Sequence, residues 1–421
     1  MLRRAILLIF LIAGLLALVV PSIGAQQTII GQDNPAVDAQ AVQAAASRGG
    51  EVFLKGIFDF GEKGSVTINK DLKIVGEKDS QGVAITKIKG GFRTFLSPLP
   101  AKLPPQAPGP KIAIQNIHFD GTLAFPIYIA YCSGATIAGN RITNVKPIAA
   151  TPKLNVSAGI MVGTNWIQPA ATRKYQPGAV TGVITIVEND LDMANDTPAK
   201  TLGQGIFVHW ATGIYLQISG NTVRNCSRNS IEAMDNYLGD DGSGSVVIGD
   251  NKVTTPVVGI PFPSPLTPNG ILVGWFFDGT GAEASNPKQN MKHIIAGNTV
   301  RARGETSMGM WIASNEVIVH NNQIITEKKS ATGIRVNAAQ CRILKNKFKG
   351  TGSEAIVIAP IKSLTGSNNR CEDNDVSAFK ASVAEVSLLK DSKNNIVVGS
   401  GGRAKDLGIE NQIKGLTRLT E

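Results

Sequence analysis

The chain has 421 residues, 18% of them charged and 43% hydrophobic, with a formal charge of +10, which excludes a disordered chain and a multi-span membrane protein. Its 45 Gly and 29 Asn stand against 23 aromatics, and the Gly have no three-residue period, so collagen is excluded and a chain that turns often and packs aliphatics is implied. The positive charge is spread along the chain without a long Lys/Arg block, which suits a soluble basic protein or one that meets a polyanion.

Residues 1–25 read as a signal peptide. Arg3 and Arg4 precede an apolar run from Ala5 to Val20, Pro21 stops it, and Ser22, Gly24 and Ala25 offer a cleavage site. The run is shorter than the ~20 residues of a spanning helix, so cleavage is expected over retention as an anchor. Behind an export signal a nucleic-acid partner is not expected, and an anionic polysaccharide is the better polyanion. The mature protein is then secreted, periplasmic or held at the cell surface, and not in the membrane.

Next, Asp33-Asn34-Pro35 reads as cap and first turn of a helix over about 35–47, whose Ala36–Ala46 stretch is Ala-rich. Gly49-Gly50-Glu51-Val52-Phe53-Leu54 begins a strand, and the Pro-rich stretch Pro98–Pro110 is a loop.

A repeat organises the rest of the chain. Asn140, Asn189, Asn221, Asn251, Asn298, Asn322, Asn346 and Asn374 each have Ile, Val or Cys three residues before and Ile, Leu, Val or Phe two residues after, with a polar residue directly after each Asn. The alternation on both sides gives two short strands, and the Asn is expected to take the left-handed corner between them. A third strand comes next in Gly-Ile-x-Val form at 159–162, 205–208, 270–273 and 333–336, with looser copies at 230–233 and 309–312. Three strands per unit describe one coil of a solenoid whose Ile and Val stack about 4.8 Å apart into an aliphatic column too narrow to favour rings.

This pattern resembles the right-handed parallel β-helix proteins, the pectin lyase-like group, over roughly residues 30–400. The resemblance implies an all-β, single-stranded right-handed parallel β-helix of about 11–12 three-strand coils over residues 26–400, closed at its start by the Ala-rich helix. Residues 401–421 lack the repeat and read as a C-terminal tail or cap. Cys341 and Cys371 fall on inward positions of adjacent coils. A coil step with a two-residue shift puts their Cα atoms about 8 Å apart, beyond disulfide reach, so buried thiols are expected. Cys132 and Cys226 are left open.

Two of the Asn spacings are much longer than the others, and the extra residues flank the third strand: 146–158 and 165–181 around one copy, 256–269 and 275–290 around another. Smaller additions lie at 194–204 and 236–244. Loops on both sides of one strand face make a groove, the usual binding face of a solenoid. Trp166, Trp210, Trp275 and Trp311 all map there. The x residues, Met161, Phe207, Glu232, Leu272, Trp311 and Arg335, should point into it. Aromatic faces suit the C–H faces of sugars and Arg suits a carboxylate or sulfate, so Trp166, Phe207, Trp210, Trp275, Trp311 and Arg335 are the expected substrate contacts. Trp packing beneath loops is the plainer alternative.

Glu232, between apolar neighbours, should have a raised pKa fit for a general acid, with Asp235 as base or nucleophile and His209 beside them. For a lyase, His209 and Arg335 would serve as base and charge neutraliser, or a metal near Asp235–Asp241 would. No cofactor is implied; calcium is the one ion that Asp240 and Asp241 could take, although Gly-Asp-Asp-Gly-Ser-Gly also reads as a solvated turn. No Cys/His spacing fits zinc. The motifs of the polygalacturonate hydrolases, the calcium-dependent pectate lyases and the alginate epimerases are missing apart from Asp240-Asp241, so no catalytic residue is carried over. The expected function is an exported enzyme that binds and cleaves an anionic polysaccharide. The rival is a non-catalytic surface or envelope protein using the solenoid as a rigid spacer.

Overall fold

The computed structural model describes residues 27–101, 108–151, 154–163, 178–193, 201–257, 268–274, 291–361 and 364–419. The expected signal peptide, Trp166, Trp275 and much of the inserted segments lie outside the described residues.

The strands stack into three long parallel sheets, and each coil contributes in turn to the first, second and third. Parallel neighbours joined through the two other sheets make a right-handed parallel β-helix. The second sheet has 11 strands, from Ile57–Asp59 to Asp375–Ala381, so 11 coils are complete. The first sheet has 14 strands, because Gln27–Ile30 precedes those coils and Ile396–Val398 and Gln412–Lys414 come after them. Residues 401–419 are therefore not a tail. Arg403–Asp406 and Thr417–Arg418 extend the third sheet, giving two final coils that lack only the second-sheet strand.

The helix α1 spans Asp38–Ala46 and starts later than the Asp33-Asn34 cap implied. Buried Asp38 organises this end: its carboxylate accepts the backbone N–H groups of Gln32 (3.0 Å), Asn34 (2.9 Å) and Asp59 (2.8 Å). Val42, Ala45 and Ala46 then pack onto the open end of the column.

The repeated Asn does not itself take the left-handed conformation. That falls one residue earlier, at Gly139, Glu188, Gly220, Asp250, Gly297, Asn321, Lys345 and Asp373. Each Asn is instead turned inward as a rung of a buried ladder. In Asn251, Oδ1 accepts from both the backbone N (3.0 Å) and Nδ2 (2.9 Å) of Asn221, while Nδ2 donates to Asn298 Oδ1 and to Ile218 O (both 2.9 Å). The same bonds link Asn140 through to Asn374. A second ladder, Asn369–Asn395–Asn411, runs into the final coils. Such rows satisfy, coil after coil, the peptide groups that a sharp corner would strand in an apolar interior.

The column is not too narrow for rings. Phe58, Phe95, Phe119 and Phe348 are fully buried in it, Phe95 and Phe119 edge to face at 5.6 Å. Rings fit because the first residue of the third-strand motif is often Gly. A Cβ on Gly333 would stand 2.9 Å from the Phe348 ring, and one on Gly205 would stand 2.4 Å from both Val223 Cγ1 and Ser230 O. All four Cys are buried and free, with their thiols pushed up to about 12 by burial. Cys371 pairs with Ile343, two residues past Cys341, which is the offset that rules out a bridge between them.

Candidate functional site

The third sheet carries the candidate site on its outer face. Pairing places Tyr128, Met161, Phe207, Glu232, Leu272, Trp311 and Arg335 in one column, one residue per coil. The expected open groove is absent at these positions. Met161, Phe207, Glu232 and Leu272 are at most 3% exposed, Trp311 is 9% exposed, and Arg335 is half-buried. Some of the cover comes from segments expected as loops. Ile148–Thr151 forms an antiparallel hairpin with the start of Leu154–Gly163, and that strand pairs with an equally extended Thr201–His209. The apolar part of the face closes into a second cluster of Phe125, Tyr128, Val156, Met161 and Phe207.

Glu232 lies in the middle. Its Oε2 accepts hydrogen bonds from Gln204 Nε2 (2.5 Å) and Asn229 Nδ2 (2.6 Å), and Asn269 Nδ2 donates to Asn229 Oδ1 (2.7 Å). Burial raises the Glu232 pKa, while the two amides and the nearby cation Arg228 oppose the rise. The raised pKa was expected, but the clamped and covered carboxylate is not the open general acid that a glycosidase needs.

His209 and Asp235 come together across adjacent coils. Because His209 pairs with Met234, Asp235 stands one residue beyond it, and His209 Nε2 meets Asp235 Oδ2 at 2.8 Å, both side chains buried. The imidazole is stacked between two rings, Phe207 at 5.2 Å and Trp210 at 4.3 Å. His209 Nδ1 is buried with no hydrogen-bond partner among the described residues. Trp210 (φ 57°) adopts left-handed backbone, which is uncommon for a bulky side chain, and Asp235 (φ 50°) does so as several coil corners do. A carboxylate on Nε2 fixes the tautomer, leaving the Nδ1 lone pair for a proton.

The remaining expected contacts are scattered. Trp311 Nε1 donates to Asn337 Oδ1 (2.5 Å), so that indole is a packed, hydrogen-bonded residue. Arg335, three coils after Glu232, has its pKa lowered by burial and sits near Glu354. Asp240 and Asp241 are exposed on the turn closed by Gly239 and Ser243; Asp241 Oδ1 accepts from Ser243 N (2.9 Å), and the Ser243 hydroxyl and N–H hold its pKa below the usual range. Among the described residues no group of three or more His, Cys, Asp or Glu is placed to hold a metal ion. Gln204, Asn229 and Asn269 were missed by sequence reasoning. Their signal is a polar residue three positions before the x residue, which only strand pairing reveals.

The sequence matches no protein-family model and no curated protein. Among solved structures it is similar to the mannuronan C-5 epimerase AlgE6 A-module of Azotobacter vinelandii, at 13% identity over 93% of this chain and 96% of that one, with a TM-score of 0.43. It is also similar to the periplasmic alginate epimerase AlgG, at 12% identity, 88% and 77% coverage and a TM-score of 0.33. A third likeness is to DFA-IIIase from Arthrobacter chlorophenolicus A6, at 14% identity, 87% and 89% coverage and 0.29. These are likenesses of coil architecture. No helix among the described residues is long and apolar enough to cross a membrane.

Proposed function

We propose that this chain is an exported, carbohydrate-active β-helix that works on an anionic polysaccharide lying along the outer face of the third sheet. One observation carries the reading: the buried His209–Asp235 pair, ring-stacked under the half-exposed Trp210, with Nδ1 left unpartnered. In this reading Asp235 holds the imidazole, and a shift of the stacked Trp210 ring opens the buried Nδ1, which takes the proton α to a uronate carboxylate. The electron pair released forms the new double bond and expels the glycosidic oxygen, which takes up a proton, so an unsaturated uronate and a new chain end result. Arg335, expected as the charge neutraliser, stands three coil steps beyond Glu232 and would meet a carboxylate farther along the bound chain, not the one at the reacting uronate. Elimination is favoured over hydrolysis because Glu232 is clamped by two amides and Asp235 is engaged by His209.

The closure of the outer column favours a second reading, a non-catalytic solenoid at the cell surface, in which the same residues are packing. Incubation with a panel of uronate and neutral glycans separates the two. Unsaturated-sugar absorbance together with new reducing ends, both lost in His209→Ala, supports the lyase. Reducing ends without absorbance mean hydrolysis, and neither signal on any glycan sinks the enzymatic reading.

A further inference from the structure

Arg93 is the unexplained cation of the third-sheet face. Its backbone is pinned in left-handed conformation (φ 49°), with its N–H donating to Leu123 O (3.2 Å) and its carbonyl accepting from Ser65 Oγ (2.9 Å). This fixes where the side chain leaves the chain. The guanidinium carbon then lies over three rings, Phe92 at 5.0 Å, Tyr128 at 5.7 Å and Phe125 at 5.9 Å. Phe125 and Tyr128 pack on each other at 5.6 Å, so the rings form a wall. Among the described residues, no carboxylate pairs with Arg93 and no acceptor meets its Nε, which is buried. The Tyr128 hydroxyl, on a side chain 4% exposed, likewise has no hydrogen bond there.

A guanidinium in such a place is costly. Its fork of N–H donors fits an oxyanion, and the buried Nε–H meets only apolar rings, which supply no acceptor. Cation–π attraction returns only part of what desolvation takes. The other half-buried arginines of this face have a carboxylate at hand, Arg228 with Glu232 and Arg335 with Glu354. Arg93 lacks one, and Tyr128 adds a second idle donor beside it. A guanidinium and a phenol set on one aromatic wall, neither paired with a protein acceptor among the described residues, describe a socket for an oxyanion.

Its position fits the binding face. Tyr128 stands in the same column as Glu232, three coil steps earlier, or about 14 Å at the usual strand spacing. Arg335 stands three steps later. A glycan lying along the sheet across His209 would therefore meet a guanidinium at each end.

We infer that Arg93 and Tyr128 form a distal subsite for a carboxylate or sulfate group on a bound glycan, an assignment that rests on the proposed carbohydrate function. The test is calorimetric binding of three probes of equal length: a uronate oligosaccharide, its carboxyl-reduced counterpart, and a sulfated neutral oligosaccharide. Wild type should prefer one of the charged probes by about ten- to hundredfold over the reduced one, the range for charge-assisted hydrogen bonds. Which charged probe wins tells carboxylate from sulfate. Arg93→Gln should lose about tenfold or more of that preference, with Arg335 supplying what is left, and Tyr128→Phe should lose a smaller part. If Arg93→Gln keeps the full preference, the subsite is wrong while the glycan reading stands; if Arg93→Gln does not fold, an unchanged preference in Tyr128→Phe overturns the subsite equally. If wild type binds none of the probes, the glycan reading fails, and titration with inorganic sulfate decides the subsite. A Tyr fluorescence or melting response present in wild type and absent in Arg93→Gln keeps an anion site, and equal responses overturn it.

Discussion

Replacing Asn251 with Ala tests the ladder at its centre. The substitution removes four hydrogen bonds: two accepted by Oδ1 from Asn221 and two donated by Nδ2, to Ile218 O and Asn298 Oδ1. The losses are not equal. Asn221 Nδ2 keeps its bonds to Ile186 O (2.9 Å) and Ser219 O (3.2 Å), and Asn298 Oδ1 still accepts from the Asn251 backbone (3.0 Å). The Asn221 N–H, however, loses its acceptor in a fully buried corner. An orphaned buried donor costs about 1–3 kcal/mol and the remaining bonds add about 1 kcal/mol or less each, so about 2–5 kcal/mol is expected. Denaturant unfolding measures this against Gln217→Ala, a solvent-facing control expected within about 0.5 kcal/mol of wild type. Amide hydrogen exchange at Asn221 reads the same corner locally. Asn251→Asp keeps the acceptors and loses the donors while burying a charge, so it should be worse than Ala near neutral pH and recover as acid protonates it. A loss under about 1 kcal/mol for Asn251→Ala, with Asn221 exchange unchanged, would refute the idea that the ladder satisfies these corners.

The other predictions concern buried groups. The His293 pKa is lowered to about 4 by burial, so stability should fall by up to about 3 kcal/mol as pH drops from 6.5 to 4, and acid unfolding of His293→Val should lack that step. Gly205→Ala places a Cβ 2.4 Å from Ser230 O, a backbone atom that cannot step aside, and a melting shift matching a loss of about 1–3 kcal/mol or more is expected. The four thiols should ignore a disulfide reagent at pH 8 in the native protein and react on unfolding; rapid native labelling of any one would contradict their burial. Glu232 has a raised pKa, so its contribution is favourable in acid and is lost as pH rises through the folded value. Glu232→Gln should therefore melt higher than wild type at pH 8 and lose that advantage below pH 4; an unchanged gap across that range would refute the assignment.

Much of this fold was legible because a β-helix repeats its chemistry. The Asn motif gave the corner, and its neighbours at minus three and plus two gave the inward faces. Indeed, the carbonyl that Asn251 Nδ2 reaches belongs to Ile218, the residue three before the previous Asn. The left-handed residue was misplaced by one because Asn's conformational tolerance and its hydrogen-bonding capacity pointed to the same position. In the structure they separate: a neighbour bends, and the Asn bonds. The second ladder escaped notice because three members, 26 and 16 residues apart, make no visible period. Rings in the core were missed because their room is made by glycines on another strand, as between Phe348 and Gly333.

The site was less legible. Strand alternation says which side chains leave the core, and it is silent on what covers them afterwards. Here an extended strand pair and a hairpin turn the expected groove into a second packed layer. The meeting of His209 with Asp235 depends on a pairing offset between coils, which no local pattern records. The covering layer also bears on function. Met161, Phe207 and Leu272 show that this column accepts large apolar side chains on either side of Glu232. A carboxylate with a costly burial, supported by two amides and an arginine, is not what packing alone would select there, since an apolar residue of similar size would be as stable or more so. The same holds for the idle Nδ1 of His209 and the unmatched guanidinium of Arg93. Under the proposed function, these polar groups on the third-sheet face would be kept for binding at a cost in stability.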